Sequence, residues 1–161
     1  MNALAAGSRA PAAPSTTTGV IVNFAAFQIG WFACVLGAAH GWPWAGTAIA
    51  AAIVAAHVYR AARPAEELKL IGIALCLGAV WDSLLFTLGW LDFKTGVLIH
   101  GVAPHWILAM WALFAITLNV SLRWLQGRWL VAALLGAVAG PLAYWAGARL
   151  GAVVQIGRAH V

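Results

Sequence analysis

Asp82 is the residue whose type and position most invite chemistry. It lies inside the apolar run Lys69–Leu91 and is the only carboxylate deep within any such run. Read as a helix over 69–91, the run puts Asp82 near its middle. A charge at the centre of a bilayer costs at least about 2.5–3.5 kcal/mol on insertion scales, so such a side chain normally faces other helices and has a partner. Gly78 and Gly89 share its helical face and permit close approach. Counting depth at ~1.5 Å per residue brings Gln28, Trp111 and Tyr144 within about a turn or two of its level. Asp82 is then either a proton-carrying or ligand-binding carboxylate, or the acceptor of a structural hydrogen bond from a Trp N–H or Tyr hydroxyl on a neighbouring helix. One carboxylate alone is half of an acid–base pair.

A second group gathers at one end of the predicted helices: His40, His100, His105 and Asp92. These are metal-ligand types, but their spacing matches no tight ligand motif, and imidazoles at an interface are the simpler reading. No metal and no cofactor is expected. His105 follows Pro104 at a predicted helix start and could point toward Asp82, so Asp82, His105 and Tyr144 are the candidate catalytic residues. Asp82, Gln28, Trp111 and Arg149 are the candidates for holding a ligand or proton. Arg149 either snorkels to headgroups or meets an anion. Asn23 and Asn119, entering from the opposite end at similar depth, are expected to hydrogen-bond across the first and fourth helices. His57 reads as interfacial. No Ser–His triad, phosphate loop, HExxH or paired-Cys signature is present.

The elements that must position these residues follow from composition. Of 161 residues, 64% are hydrophobic and 8% charged. A soluble chain this apolar lacks the polar residues to cover its surface, and lipid is the solvent that suits it. Backbone amides in lipid must be satisfied internally, so continuous apolar runs mean helices. The reading is all-α: a polytopic membrane bundle of about five transmembrane helices, near 20–39, 43–59, 69–91, 103–122 and 129–150. Pro43 and Pro104 stand near helix starts, and Gly140-Pro141 predicts a kink in the fifth helix. Gly136-x-x-x-Gly140 and Gly147-x-x-x-Gly151 make small-residue stripes for intrachain packing, a homo-oligomer or contact with other membrane proteins. Cys34 and Cys76 read as small packing residues.

The net charge of +5 does not imply nucleic acid, because the basic residues stand singly or in pairs with no basic stripe. They orient the chain instead. Arg9, Arg60, Arg63, Lys69, Arg123 and Arg128 fall on one side, Lys94 and Arg149 on the other, which makes the first side and the N-terminus cytoplasmic. Tryptophan fits the same map: Trp42, Trp44, Trp90 and Trp106 near outer ends, Trp124 and Trp129 near inner ends, with Trp31, Trp81, Trp111 and Trp145 as deeper packing residues.

Residues 1–19 read as a disordered N-terminal arm and 20–155 as one transmembrane helical domain. The first apolar run is long for a signal peptide and contains Asn23 and Gln28, so it is read as a helix that is kept. The ending Ile156-Gly157-Arg158-Ala159-His160-Val161 back-translates to a string resembling a common sequencing adapter. Residues 156–161 are therefore read as a non-native tail, with a sixth native helix lost by truncation, and Arg158 and His160 are given no role.

Several segments together resemble a known family. They are Asn23-Phe24 with Gln28, Gly30, Trp31 and Phe32; Trp81-Asp82 followed by Gly89; Pro104-His105-Trp106; Leu118-Asn119-Val120-Ser121-Leu122; and Gly140-Pro141-Leu142-Ala143-Tyr144 with Gly147 and Leu150-Gly151-Ala152. In that order they resemble the bacterial inner-membrane family catalogued as domain of unknown function 2878, over most of residues 20–153. The resemblance implies a small multi-pass protein of a Gram-negative inner membrane, usually with one more helix, and implies no activity. This chain has Val120 where the family pattern often has His. The reading that results is a non-enzymatic small carrier or accessory subunit built around Asp82. The alternative is a membrane-embedded enzyme acting on a lipid-soluble substrate.

Overall fold

The structure is a computed structural model, and it describes residues 16–155. The predicted tail at 156–161 and most of the predicted arm lie outside the described residues. Five α-helices make up the described chain: α1 (Thr17–Ala39), α2 (Pro43–Arg60), α3 (Pro64–Thr87), α4 (His105–Leu118) and α5 (Trp129–Arg149). The expected all-α class is what the chain adopts. Two short strands, β1 (Leu91–Phe93) and β2 (Val153–Gln155), pair antiparallel with Asp92 opposite Val154.

The helix ends are set by local chemistry, and several differ from the sequence reading. α1 begins inside the expected arm because the Thr16 hydroxyl caps it, accepting from the Gly19 N–H at 3.1 Å. α3 starts at Pro64, earlier than expected. Proline suits a first turn, and Glu66 and Glu67 there complement the helix dipole. α3 also ends early: Gly89 turns the backbone to φ +70°, which ends the helix and leads into β1. Gly89 is thus a helix stop, not a packing position beside Asp82. α4 is shorter than the expected 103–122, because after Leu118 the chain tightens into turns and the 3₁₀ turn Arg123–Leu125. Gly151 likewise lies past the end of α5, at φ +88°. Pro141 lies within α5.

α1, α3 and α5 are long and apolar enough to cross a membrane; α4 is apolar but has only 14 residues. α4 lies at the centre of the packing, against α1, α2 and α3, while α1 and α2 form the closest pair. Cys34, Val35, Trp106, Leu113 and Ile116 are fully buried there. Glycine sets how near the backbones come. A Cβ on Gly46 of α2 would collide with the Ala33 carbonyl oxygen and the Cys34 Cα of α1. A Cβ on Gly78 of α3 would enter the Trp111 indole of α4.

The tryptophan map needs revision. Trp42, Trp44, Trp90, Trp124 and Trp129 are exposed, as belt residues would be. Trp106 is fully buried and donates Nε1–H to the Thr95 carbonyl at 3.0 Å, so it belongs to the core. Trp81 and Trp145, expected to pack inside, are exposed. Cys34 is buried as expected, whereas Cys76 is exposed. Only Gly147 of α5 is buried.

Candidate functional site

Polar groups meet in three places. The first is Asp82, which is completely buried. The Trp111 indole N–H donates to Oδ2 at 2.7 Å, and the Tyr144 hydroxyl donates to Oδ1 at 2.5 Å. Gly78, one helical turn before Asp82, leaves the space in which the Trp111 ring lies. The carboxyl therefore ties α3 to α4 and α5. Two of the three side chains expected near Asp82 are there. Gln28, half-buried on α1, is not among the partners, which come from α4 and α5. Nor is Asp82 central on its helix: α3 ends at Thr87, so the carboxyl sits near the C-terminal end. The shift follows from the early start and early stop of the helix.

The second place is His105. Its Nδ1 lies 2.7 Å from the Thr47 hydroxyl, and its ring stacks on Trp44 with centroids 3.9 Å apart. The Thr47 hydroxyl also lies 3.1 Å from the Pro43 carbonyl, one turn back on α2, so it links His105 to the α2 backbone. Nε2 is buried without a partner and faces Gly96. His105 is thus anchored to α2 and does not turn to Asp82, which removes the expected Asp82–His105–Tyr144 constellation. His40 bonds to its own Leu36 carbonyl and His100 packs edge-on to Phe86, so the histidines do not converge. Among the described residues, no three His, Cys, Asp or Glu side chains gather as a metal site. Arg149 lies over the Trp145 ring, 5.3 Å from its centroid.

The third place is a cleft of about 910 Å³ between α1, α2, the start of α3, the end of α4 and the 3₁₀ turn. Asn23 and Asn119 both line it, but they do not bond to each other as expected. Asn23 donates to the Ile116 carbonyl at 3.0 Å and accepts from the Ser121 hydroxyl. Asn119 donates to Glu67 Oε1 at 2.8 Å and accepts from Gln126 at 3.1 Å. His57 meets Glu67 Oε2 at 3.2 Å, so the Glu67 carboxylate is engaged on both oxygens. Arg60, Arg63, Glu66, Arg123 and Val120 complete much of the rim. Sequence reading missed Glu67 and Gln126, and took His57 as merely interfacial. Starting the third helix at Lys69 left Glu67 in a loop; Pro64 followed by Glu66-Glu67 was the start signal that would have placed it.

The fold and these sites define a class first: a helical bundle with three helices long and apolar enough to cross a membrane and, among the described residues, no gathering of three metal-ligand side chains. The comparison with known families is more specific. Residues 20–160 match the family described as "Protein of unknown function (DUF2878)", and the chain belongs to it. No curated protein and no solved structure matches it.

Proposed function

We propose that this is a non-enzymatic, multi-pass protein of a bacterial inner membrane, a small carrier or accessory subunit that holds its ligand in the cleft between α1, α2, α3 and α4. The observation that carries this reading is the contrast between a closed Asp82 and an open cleft. Asp82 has each oxygen capped by a donor from another helix, and the only His considered as its catalytic partner is held on α2. A carrier working through Asp82 needs a free oxygen and a path to it; an enzyme needs an acid and a base within reach of one pocket. The cleft, by contrast, is roomy and combines apolar walls with a charged rim. Pockets of ~300–1,000 Å³ with a few converging polar groups are the usual form of ligand sites. The Lys and Arg distribution supports a cytoplasmic position for this cleft and the N-terminus.

Solvent extraction of the purified protein, followed by untargeted mass spectrometry, tests the reading. The wild type should release a co-purifying small molecule that Ala56→Trp, which fills the cleft without changing a charge, does not carry. Equal recovery from both proteins removes the cleft as the binding site.

A further inference from the structure

Residues 94–104 join β1 to α4 without helix or strand, at the end of the bundle opposite the cleft. Three contacts fix their depth. His100 packs edge-on to Phe86, a Cβ on Gly101 would lie 3.5 Å from the Thr87 methyl, and the Ala103 N–H donates to the Ser83 hydroxyl at 2.9 Å. The segment thus runs beside the last turn of α3 and not beyond it. His105, where α4 begins, meets Thr47, one turn inside α2. A crossing of the hydrocarbon core takes about 20 residues, and counted from Lys69 it reaches the end of α3. α4 has only 14 residues and rises ~21 Å at ~1.5 Å per residue, short of a core ~30 Å thick. The segment leading into α4 must therefore make up the rest of that crossing.

Side chains and backbone both suit that depth. Leu98 and Ile99 are each 66% exposed, and Val102 is 37% exposed. Leu84 and Leu88, at the end of α3, are exposed as well. The one polar side chain in 97–103, His100, lies against Phe86. Non-helical backbone persists at membrane depth only where protein or water satisfies it. Here the protein does much of this. The Thr95 carbonyl accepts from the Trp106 indole at 3.0 Å, the Gly96 carbonyl from the His105 N–H at 3.3 Å, and the Ile99 carbonyl from the Val102 N–H at 3.1 Å. We propose, resting on the multi-pass reading above, that residues 97–103 form an intramembrane loop. Leu98, Ile99 and Val102 lie in the acyl region of the leaflet away from the cleft, while the exposed Asp92 and Lys94 stay at its headgroups. Exposed Trp42, Trp44 and Trp90 mark the boundary between the two zones.

The test uses the full chain with Cys76→Ala, leaving the buried Cys34 in place. Leu98→Cys, Ile99→Cys, Leu77→Cys and Lys94→Cys are made singly, nitroxide-labelled and reconstituted in dioleoylphosphatidylcholine vesicles. Leu77, exposed on α3, is the lipid reference, and Lys94 is the water reference on the same side as the loop. Power saturation reads collision with oxygen, which concentrates in lipid, against a water-soluble nickel chelate. The oxygen-to-nickel ratio at 98 and 99 should match that at 77 and exceed that at 94 several-fold. Should the bulky label lower the unfolding midpoint, reaction of the bare thiols with a water-soluble maleimide gives the same comparison: slow at 98 and 99, fast at 94. A ratio at 98 and 99 equal to that at 94, with 77 still in lipid, puts the loop in water and overturns the inference while the membrane reading stands. Low collision with both reagents means that another protein surface covers the loop, which also overturns it. Free access of nickel to 77 overturns the membrane reading itself.

Discussion

α1–α4 and α5 are built from similar residues and held in different ways. In the first four helices, glycine and alanine let backbones approach closely. Gly46 sits against the α1 backbone, and Gly78 receives the Trp111 ring. α5 has an equivalent stripe, but nothing lies within 4 Å of a Cβ built on Gly136 or Gly140. Trp129 and Leu130 at its start are over 80% exposed. What fastens α5 is the Tyr144 hydroxyl on Asp82, together with the pairing of β2 to β1. Small residues therefore permit close packing without ensuring it. Packing has to be decided by a partner surface, and here α4 supplies that surface to α1, α2 and α3.

The sharpest way to break this contrast is Gly46→Ala. The new methyl group meets backbone atoms of α1, which cannot rotate aside as a side chain could. The variant should lose about 3 kcal/mol, the upper part of the usual overpacking range, read as a lowered unfolding midpoint in detergent. A midpoint within error of wild type would show that α1 and α2 do not pack as closely as described. Asp82→Ala comes next. It leaves the Trp111 N–H and Tyr144 hydroxyl without their acceptor in a dry site, which should cost about 2 kcal/mol. Asp82→Asn keeps a carbonyl oxygen as acceptor and a similar volume, and should lose less in the same unfolding measurement.

The same contrast explains what could be read from sequence. Five helices were legible because apolar runs of that length have few other solutions in lipid. Trp111 and Tyr144 beside Asp82 were legible because a buried carboxyl requires donors, and depth counting reaches neighbouring helices. Ends were less legible: Gly89 can line a helix face or stop a helix, and only the backbone decides, here at φ +70°. That one difference, with the early start at Pro64, moved Asp82 away from the helix centre and Glu67 into the cleft. Lateral position was legible only where the buried carboxyl demanded donors. Gln28 and His105 lay at plausible positions along their helices, but periodicity does not fix which neighbour a helix will have. His105 meets Thr47 because α2 packs against α4, a fact of topology absent from the residues themselves.

Two smaller effects probe α5 directly. Tyr144→Phe removes the hydroxyl on Asp82 and keeps the ring, and should cost about 0.6–1 kcal/mol, as an interhelical hydrogen bond in a membrane protein does. The loss should be local: amide exchange should rise across Trp129–Arg149 while α1–α4 remain protected. A uniform rise would mean that α5 is integral to the core.

Gly136→Val has the smallest expected effect and the most to say about the surroundings of α5. The valine finds open space within the chain, and replacing glycine in a helix interior removes a backbone entropy cost. The unfolding midpoint should stay within about 0.5 kcal/mol of wild type, as for substitutions away from packed features. A loss as large as that of Gly46→Ala would place another helix against Gly136 in the assembled protein. The stripe on α5 would then serve contact between chains, and the difference between the two regions would be one of partner and not of packing.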